Sequence, residues 1–148
     1  NGYITGAYIY NKMGLTEQVA TTITIATPNP VRRFRFKNLD IECVKAYCMD
    51  YSDESLVPYL RLLDAIKDMK RIPGTTGQDI YNRVKSQYFN GYSLPELEKI
   101  VSLAKSYPPR VRKVVADILG DIRQTVLQTE MAKTILPTTR FNLDYKTA

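Results

Sequence analysis

The hydrophobic pattern of this chain switches period partway along, and that switch limits the folds open to it. From Thr22 to about residue 46 apolar side chains recur at every second position; from Ser52 to about Lys133 they recur at helical spacing. Thr22-Ile-Thr-Ile-Ala26 alternates polar and apolar side chains, as a half-buried strand does. Pro28-Asn29-Pro30 breaks it. Arg33-Phe-Arg-Phe36 puts both arginines on one strand face and both phenylalanines on the other, where the rings are expected to join the core. Lys37-Asn38-Leu39-Asp40 reads as a turn, with Asn38 its best turn residue. The strand before it and a third strand over residues 41–46 are therefore expected to pair as a hairpin.

The helical part carries its own punctuation. Leu56, Val57, Leu60, Leu63, Ile66 and Met69 form an apolar stripe that ends near Arg71, ahead of Pro73-Gly74. A second helix is expected from about Thr76 to Phe89, and Ser93-Leu-Pro-Glu96 is a capping box that starts a third. Pro108-Pro109 opens a fourth, expected to run past Gly120 toward Lys133. The first residues read as a short helix with Thr5 as N-cap and Gly14 as its stop, and Thr138 to Leu143 alternates as if returning to the sheet. Together these predict an α/β (α+β-like) fold: a small mixed β-sheet of three to four strands packed against four to five helices. One domain is expected over residues 1–148, and no apolar run reaches the roughly 20 residues of a membrane span.

Composition narrows the chemistry. The chain has no histidine, which excludes Ser-His-Asp and Cys-His catalysis and removes the usual acid–base group near neutral pH. Its two cysteines, Cys43 and Cys48, cannot complete a four-ligand zinc site without carboxylates. With Cys43 inside a strand and Cys48 just beyond its end, a bridge would need a sharp bend. Free thiols in a reducing cytoplasm are the expectation. No Walker loop, GxGxxG or nucleophile elbow is present, so no cofactor is expected.

The net charge of +6 is concentrated. Residues 31–45 carry five basic and two acidic side chains, and residues 108–148 carry seven and four, whereas residues 1–30 and 46–107 balance. Arg32, Arg33, Arg35 and Lys37 make a basic strand suited to an anionic partner, nucleic acid or an acidic protein face. The competing chemistry is Asp40, Glu42 and Lys45, a set that evokes the metal site of restriction-type nucleases. Its Glu-x-x-Lys spacing puts Glu42 and Lys45 on opposite faces of a strand. Eleven tyrosines, clustered at Tyr3, Tyr8 and Tyr10 and again at Tyr81, Tyr88 and Tyr92, suit either an interface or the rim of a core.

Gly2-Tyr-Ile-Thr-Gly6, then Met13-Gly-Leu-Thr16, then Ile23-Thr-Ile-Ala-Thr27 resembles the C-terminal part of the AbiEi-type antitoxins, bacterial regulators of toxin–antitoxin pairs. In that family a short helix ending in Gly-Leu-Thr precedes a strand of the form I-x-I-A-T. A basic hairpin follows, here Arg32 to Lys37, then a strand, here Ile41 to Ala46. A Leu-Leu-Asp-Ala-like stretch comes next, here Leu62 to Ala65, and a closing segment like Pro137 to Leu143. The resemblance implies a winged helix-turn-helix upstream of Asn1 that binds promoter DNA, assisted by the basic strand. It also implies a nucleotidyltransferase-type toxin as partner, although many relatives are solitary genes. It offers no catalytic, cofactor or metal-binding residues. A non-catalytic effector domain is thus the expected function; the alternatives are a restriction-endonuclease-like nuclease, active or degraded, and a stand-alone nucleic-acid-binding module.

Overall fold

The computed structural model describes residues 2–28, 32–48 and 53–148. Asn29 and Pro30 of the expected break, and Ser52 at the start of the helical pattern, lie outside them. The chain, expected as one domain, groups into two compact units, Asn1–Thr75 and Thr76–Ala148. The joint follows Pro73-Gly74, where Gly74 takes φ 77.

The first unit is built on a four-stranded mixed sheet of order β1-β2-β4-β3. Its strands are β1 (Tyr3–Thr5), β2 (Thr22–Thr27), β3 (Arg32–Phe36) and β4 (Leu39–Lys45). β1 is antiparallel to β2, β2 is parallel to β4, and β3 is antiparallel to β4. The hairpin expected around Asn38 is present. Lys37 and Asn38 adopt φ 50 and φ 66, the paired left-handed geometry of a two-residue type I′ turn, which matches the twist of the flanking strands. Leu39 pairs directly with Phe36, so Leu39 and Asp40 belong to the strand rather than to the turn.

Two helices complete this unit, α1 (Ala7–Lys12) and α2 (Val57–Lys67), the latter preceded by a 3₁₀ turn at Glu54–Leu56. Gly14 ends α1 as expected: at φ 78 it lets its N–H donate to the Asn11 carbonyl while Leu15 N–H reaches Tyr10. Thr5, however, does not cap the helix. It is the last residue of β1, and its hydroxyl donates to Asp64 (2.8 Å). A strand of three residues gives too short an alternation to be seen in sequence. The α2 stripe is buried through Leu60, Leu63 and Ile66, but Leu62, Asp64 and Ala65 are buried as well. Burial on nearly every side marks a central helix.

The second unit is helical: α3 (Gly77–Gln87), α4 (Leu94–Ala104), α5 (Pro109–Asp121) and α6 (Thr125–Ala132). Thr76 caps α3 by accepting from Asp79 N–H, and Ser93 and Glu96 form the expected reciprocal capping box of α4. The fourth helix does not continue to Lys133. It ends at Asp121 because Arg123 takes φ 64, with Arg123 N–H on the Gly120 carbonyl and Gln124 N–H on Leu119. The turn starts α6, whose Leu127 and Met131 are buried. Nor is Thr138 to Leu143 a strand. Tyr145 anchors this tail instead, stacking on Tyr81 at 4.3 Å and donating to Asp117 (2.7 Å). Arg110 pairs with Asp144, and Lys146 exchanges hydrogen bonds with Gln78.

Candidate functional site

β3 and its turn bring Arg32, Arg33, Arg35 and Lys37 together at the outer edge of the sheet, and every residue of β3 is exposed. The cations divide between two faces. Arg33 stands opposite Glu42 and Arg35 opposite Asp40, so both find carboxylates across the strand pair, at 3.0 and 3.6 Å. Both arginines remain open to water, 73% and 70% exposed, so these pairs are worth about 0–1 kcal/mol each. Arg32 lies on the other face with its guanidinium 4.9 Å from the Phe34 ring centre, and Lys37 reaches Phe36 at 5.4 Å.

The phenylalanines correct the sequence expectation. Alternation alone assigns Phe34 and Phe36 to the core; they are 39% and 56% exposed, beside Leu39 at 49%. Their rings do share the face of Ile41 and Cys43, which are themselves buried, but an edge strand has a neighbour on one side only. The outcome is a patch of rings and cations on one face and ion pairs on the other.

Asp40, Glu42 and Lys45 do not converge. The register sets Asp40 and Glu42 against arginines on one face, while Lys45 alternates onto the other and lies 5.3 Å from the Tyr47 ring. Among the described residues no group of three or more His, Cys, Asp or Glu side chains could hold a metal ion. Cys43 and Cys48 are free thiols.

A cleft of about 280 Å³ lies in the first unit, lined by Tyr10, Thr24, Glu42, Lys67, Asp68 and Arg71 among others. Its charges are satisfied internally. Asp68 accepts from Tyr10 Oη (2.7 Å) and pairs with Lys67 and Arg71; Glu42 is paired with Arg33. Burial first, and then the neighbouring Asp68 charge, hold the Tyr10 hydroxyl well above its ordinary pKa, so it is a donor and not a base.

The tyrosines reveal a pattern that their number alone does not. Tyr3 donates to Asp64, Tyr10 to Asp68, Tyr81 to Asp121 and Tyr145 to Asp117, each at 2.7 Å. All four rings are buried, so these tyrosines are core residues whose hydroxyls need acceptors. Asp121 also takes Lys85 and the Ala148 amide. Burial acts to raise its carboxyl, yet the hydrogen bonds from Tyr81, Ala148 and Lys85 outweigh that and hold it below the usual value. Among the described residues no helix is long and apolar enough to cross a membrane. No family model, no curated protein and no solved structure matches the chain, which leaves the chemistry of the hairpin as the ground for its function.

Proposed function

We propose that this chain is a binding domain with no reaction of its own, the effector part of a bacterial transcriptional regulator of the AbiEi antitoxin type. Its partner is an anionic macromolecule: the acidic face of a nucleotidyltransferase-type toxin, or the DNA held by the regulator's winged helix-turn-helix. The observation that supports this is the exposed β3 strand with its turn, which together offer four cations beside two exposed rings. The acids lining the cleft are paired, Glu42 with Arg33 and Asp68 with Lys67, Arg71 and Tyr10, an arrangement in keeping with a binding role. Two free thiols suit a reducing cytoplasm.

The test is a titration at low and high salt against operator-length DNA and against a purified toxin encoded beside the gene. The variant changes Arg32, Arg33, Arg35 and Lys37 to Gln. Gln is preferable to Glu, because reversing Arg33 or Arg35 would set a carboxylate directly opposite Glu42 or Asp40. The wild type binds more tightly, and the advantage shrinks as salt rises. For every phosphate that the variant no longer neutralises, the slope of log K against log salt falls by about 0.9 on duplex DNA. Equal affinity of both proteins for every partner would overturn the proposal.

A further inference from the structure

We infer that the Phe34/Phe36 face of the hairpin is a stacking platform for single-stranded nucleic acid, a conclusion that rests on the anion-binding function above and adds a further class of anionic ligand to the two named there. Three observations carry it. The first is segregation of charge. Arg33 and Arg35 are matched by Glu42 and Asp40, so that face is close to neutral. On the opposite face the register places Ile4 from β1; Ile23, Ile25 and Thr27 from β2; and Arg32, Phe34 and Phe36 from β3. β4 adds Leu39, Ile41, Cys43 and Lys45. Among the described residues the four strands bring no carboxylate to this face, while Arg32, Lys45 and the adjacent turn residue Lys37 bring positive charge.

The second observation is the exposed rings themselves. Apolar ring faces on an edge strand expose area that water penalises, and each ring has a cation beside it, Arg32 at 4.9 Å from Phe34 and Lys37 at 5.4 Å from Phe36, placed to meet a phosphate of the strand whose base stacks there. Bases stack on such faces whatever their sequence, and an arginine plane serves the same purpose. The third is spacing. Alternate residues on a strand lie about 6.6 Å apart, close to twice the roughly 3.4 Å rise per nucleotide of a stacked strand, so two rings accommodate one opened base step with phosphates near the flanking cations. A second copy of the chain is a poor occupant, because pairing β3 with β3 would bring cationic strands together. Duplex DNA offers its bases edge-on in the grooves, and phenyl rings carry no donor or acceptor to read them.

The full chain is titrated with a fluorescein-labelled oligothymidylate of about 12 nucleotides, within the site size of one binding module. Three further probes are used: an abasic strand with the same phosphates, the matching duplex, and poly-L-glutamate. The wild type binds the thymidylate strand more tightly than the abasic strand or the duplex. Phe34→Ala/Phe36→Ala binds the thymidylate strand at least about tenfold more weakly, as loss of stacking on one or two bases predicts. It binds the abasic strand as before, because the cations remain. Phe34→Tyr/Phe36→Tyr retains the preference, and circular dichroism with thermal melting confirms that each variant is folded. Equal wild-type affinity for thymidylate and abasic strands, or no loss in the double alanine variant, would overturn stacking. Should poly-L-glutamate and the abasic strand still bind in that case, the anion-binding function survives without it; should no polyanion bind at all, both fall.

Discussion

Asp64 is a carboxylate buried in the middle of α2, where it accepts hydrogen bonds from Tyr3 Oη at 2.7 Å and Thr5 Oγ1 at 2.8 Å. Tyr3 and Thr5 are buried too, so α2 holds β1 through one acceptor shared by two hydroxyls. Replacing Asp64 with Ala removes that acceptor, at a cost of about 1–3 kcal/mol for each buried hydroxyl. The sum of about 2–6 kcal/mol is offset in part, because Ala has no carboxylate to desolvate. A net loss of about 3 kcal/mol is expected, a large part of the roughly 5–15 kcal/mol typical of a domain. The informative comparison replaces both sides. Asp64→Leu combined with Tyr3→Phe and Thr5→Val should recover most of what Asp64→Leu alone loses, since removing both hydroxyls together with the carboxylate they share leaves neither hydroxyl without that acceptor. Urea unfolding followed by circular dichroism measures the loss, and amide exchange of β1 and β2 assigns it to this unit. If the triple variant is no more stable than Asp64→Leu, the two hydroxyls do not depend on this carboxylate and the account is wrong.

Other consequences are simpler to check. Phe34→Ala should cost about 1 kcal/mol or less in thermal melting, where a core phenylalanine would cost about 3–5 kcal/mol. Arg123→Gly should stabilise the second unit by roughly 0.5–1 kcal/mol in the same melts. Arg spends about 1–2 kcal/mol holding a left-handed backbone that glycine adopts freely, less glycine's greater freedom when unfolded. Burial, and then the neighbouring carboxylates, raise the Tyr10, Tyr81 and Tyr145 hydroxyls above their unfolded value near 10. Their contribution is therefore fully present below about pH 10 and is lost as pH climbs toward the folded values. Tyrosinate absorbance should rise together with loss of circular dichroism; ionisation of these tyrosines with the fold intact would contradict it. At the other end, Asp121 is held below its unfolded value, so its contribution is present above about pH 4 and disappears as pH falls through the folded value. Asp121→Asn should flatten the acid limb of the melting temperature profile.

Much of the local structure is written in adjacent residues. Thr76, Ser93 with Glu96, Gly14 and Asn38 each act within a few positions of themselves, so caps, stops and the hairpin turn can be read directly. The four cations of the candidate site are equally legible, because they are neighbours in one strand and its turn. A two-residue period also shows which side chains share a face, but not whether anything covers that face. Phe34 and Phe36 alternate as core residues do, yet they are exposed because β4–β3 is the outermost pair of the sheet, and strand order is decided by partners far along the chain. Which carboxylates meet Arg33 and Arg35 follows from the hairpin register, which one extra turn residue would shift. The Tyr–Asp pairs span 28 to 61 positions, and the tail alternates like a strand while its true anchor, Tyr145, binds a side chain 28 residues earlier. Acceptors for buried hydroxyls come from whichever element packs alongside, so only the assembled tertiary structure could supply them.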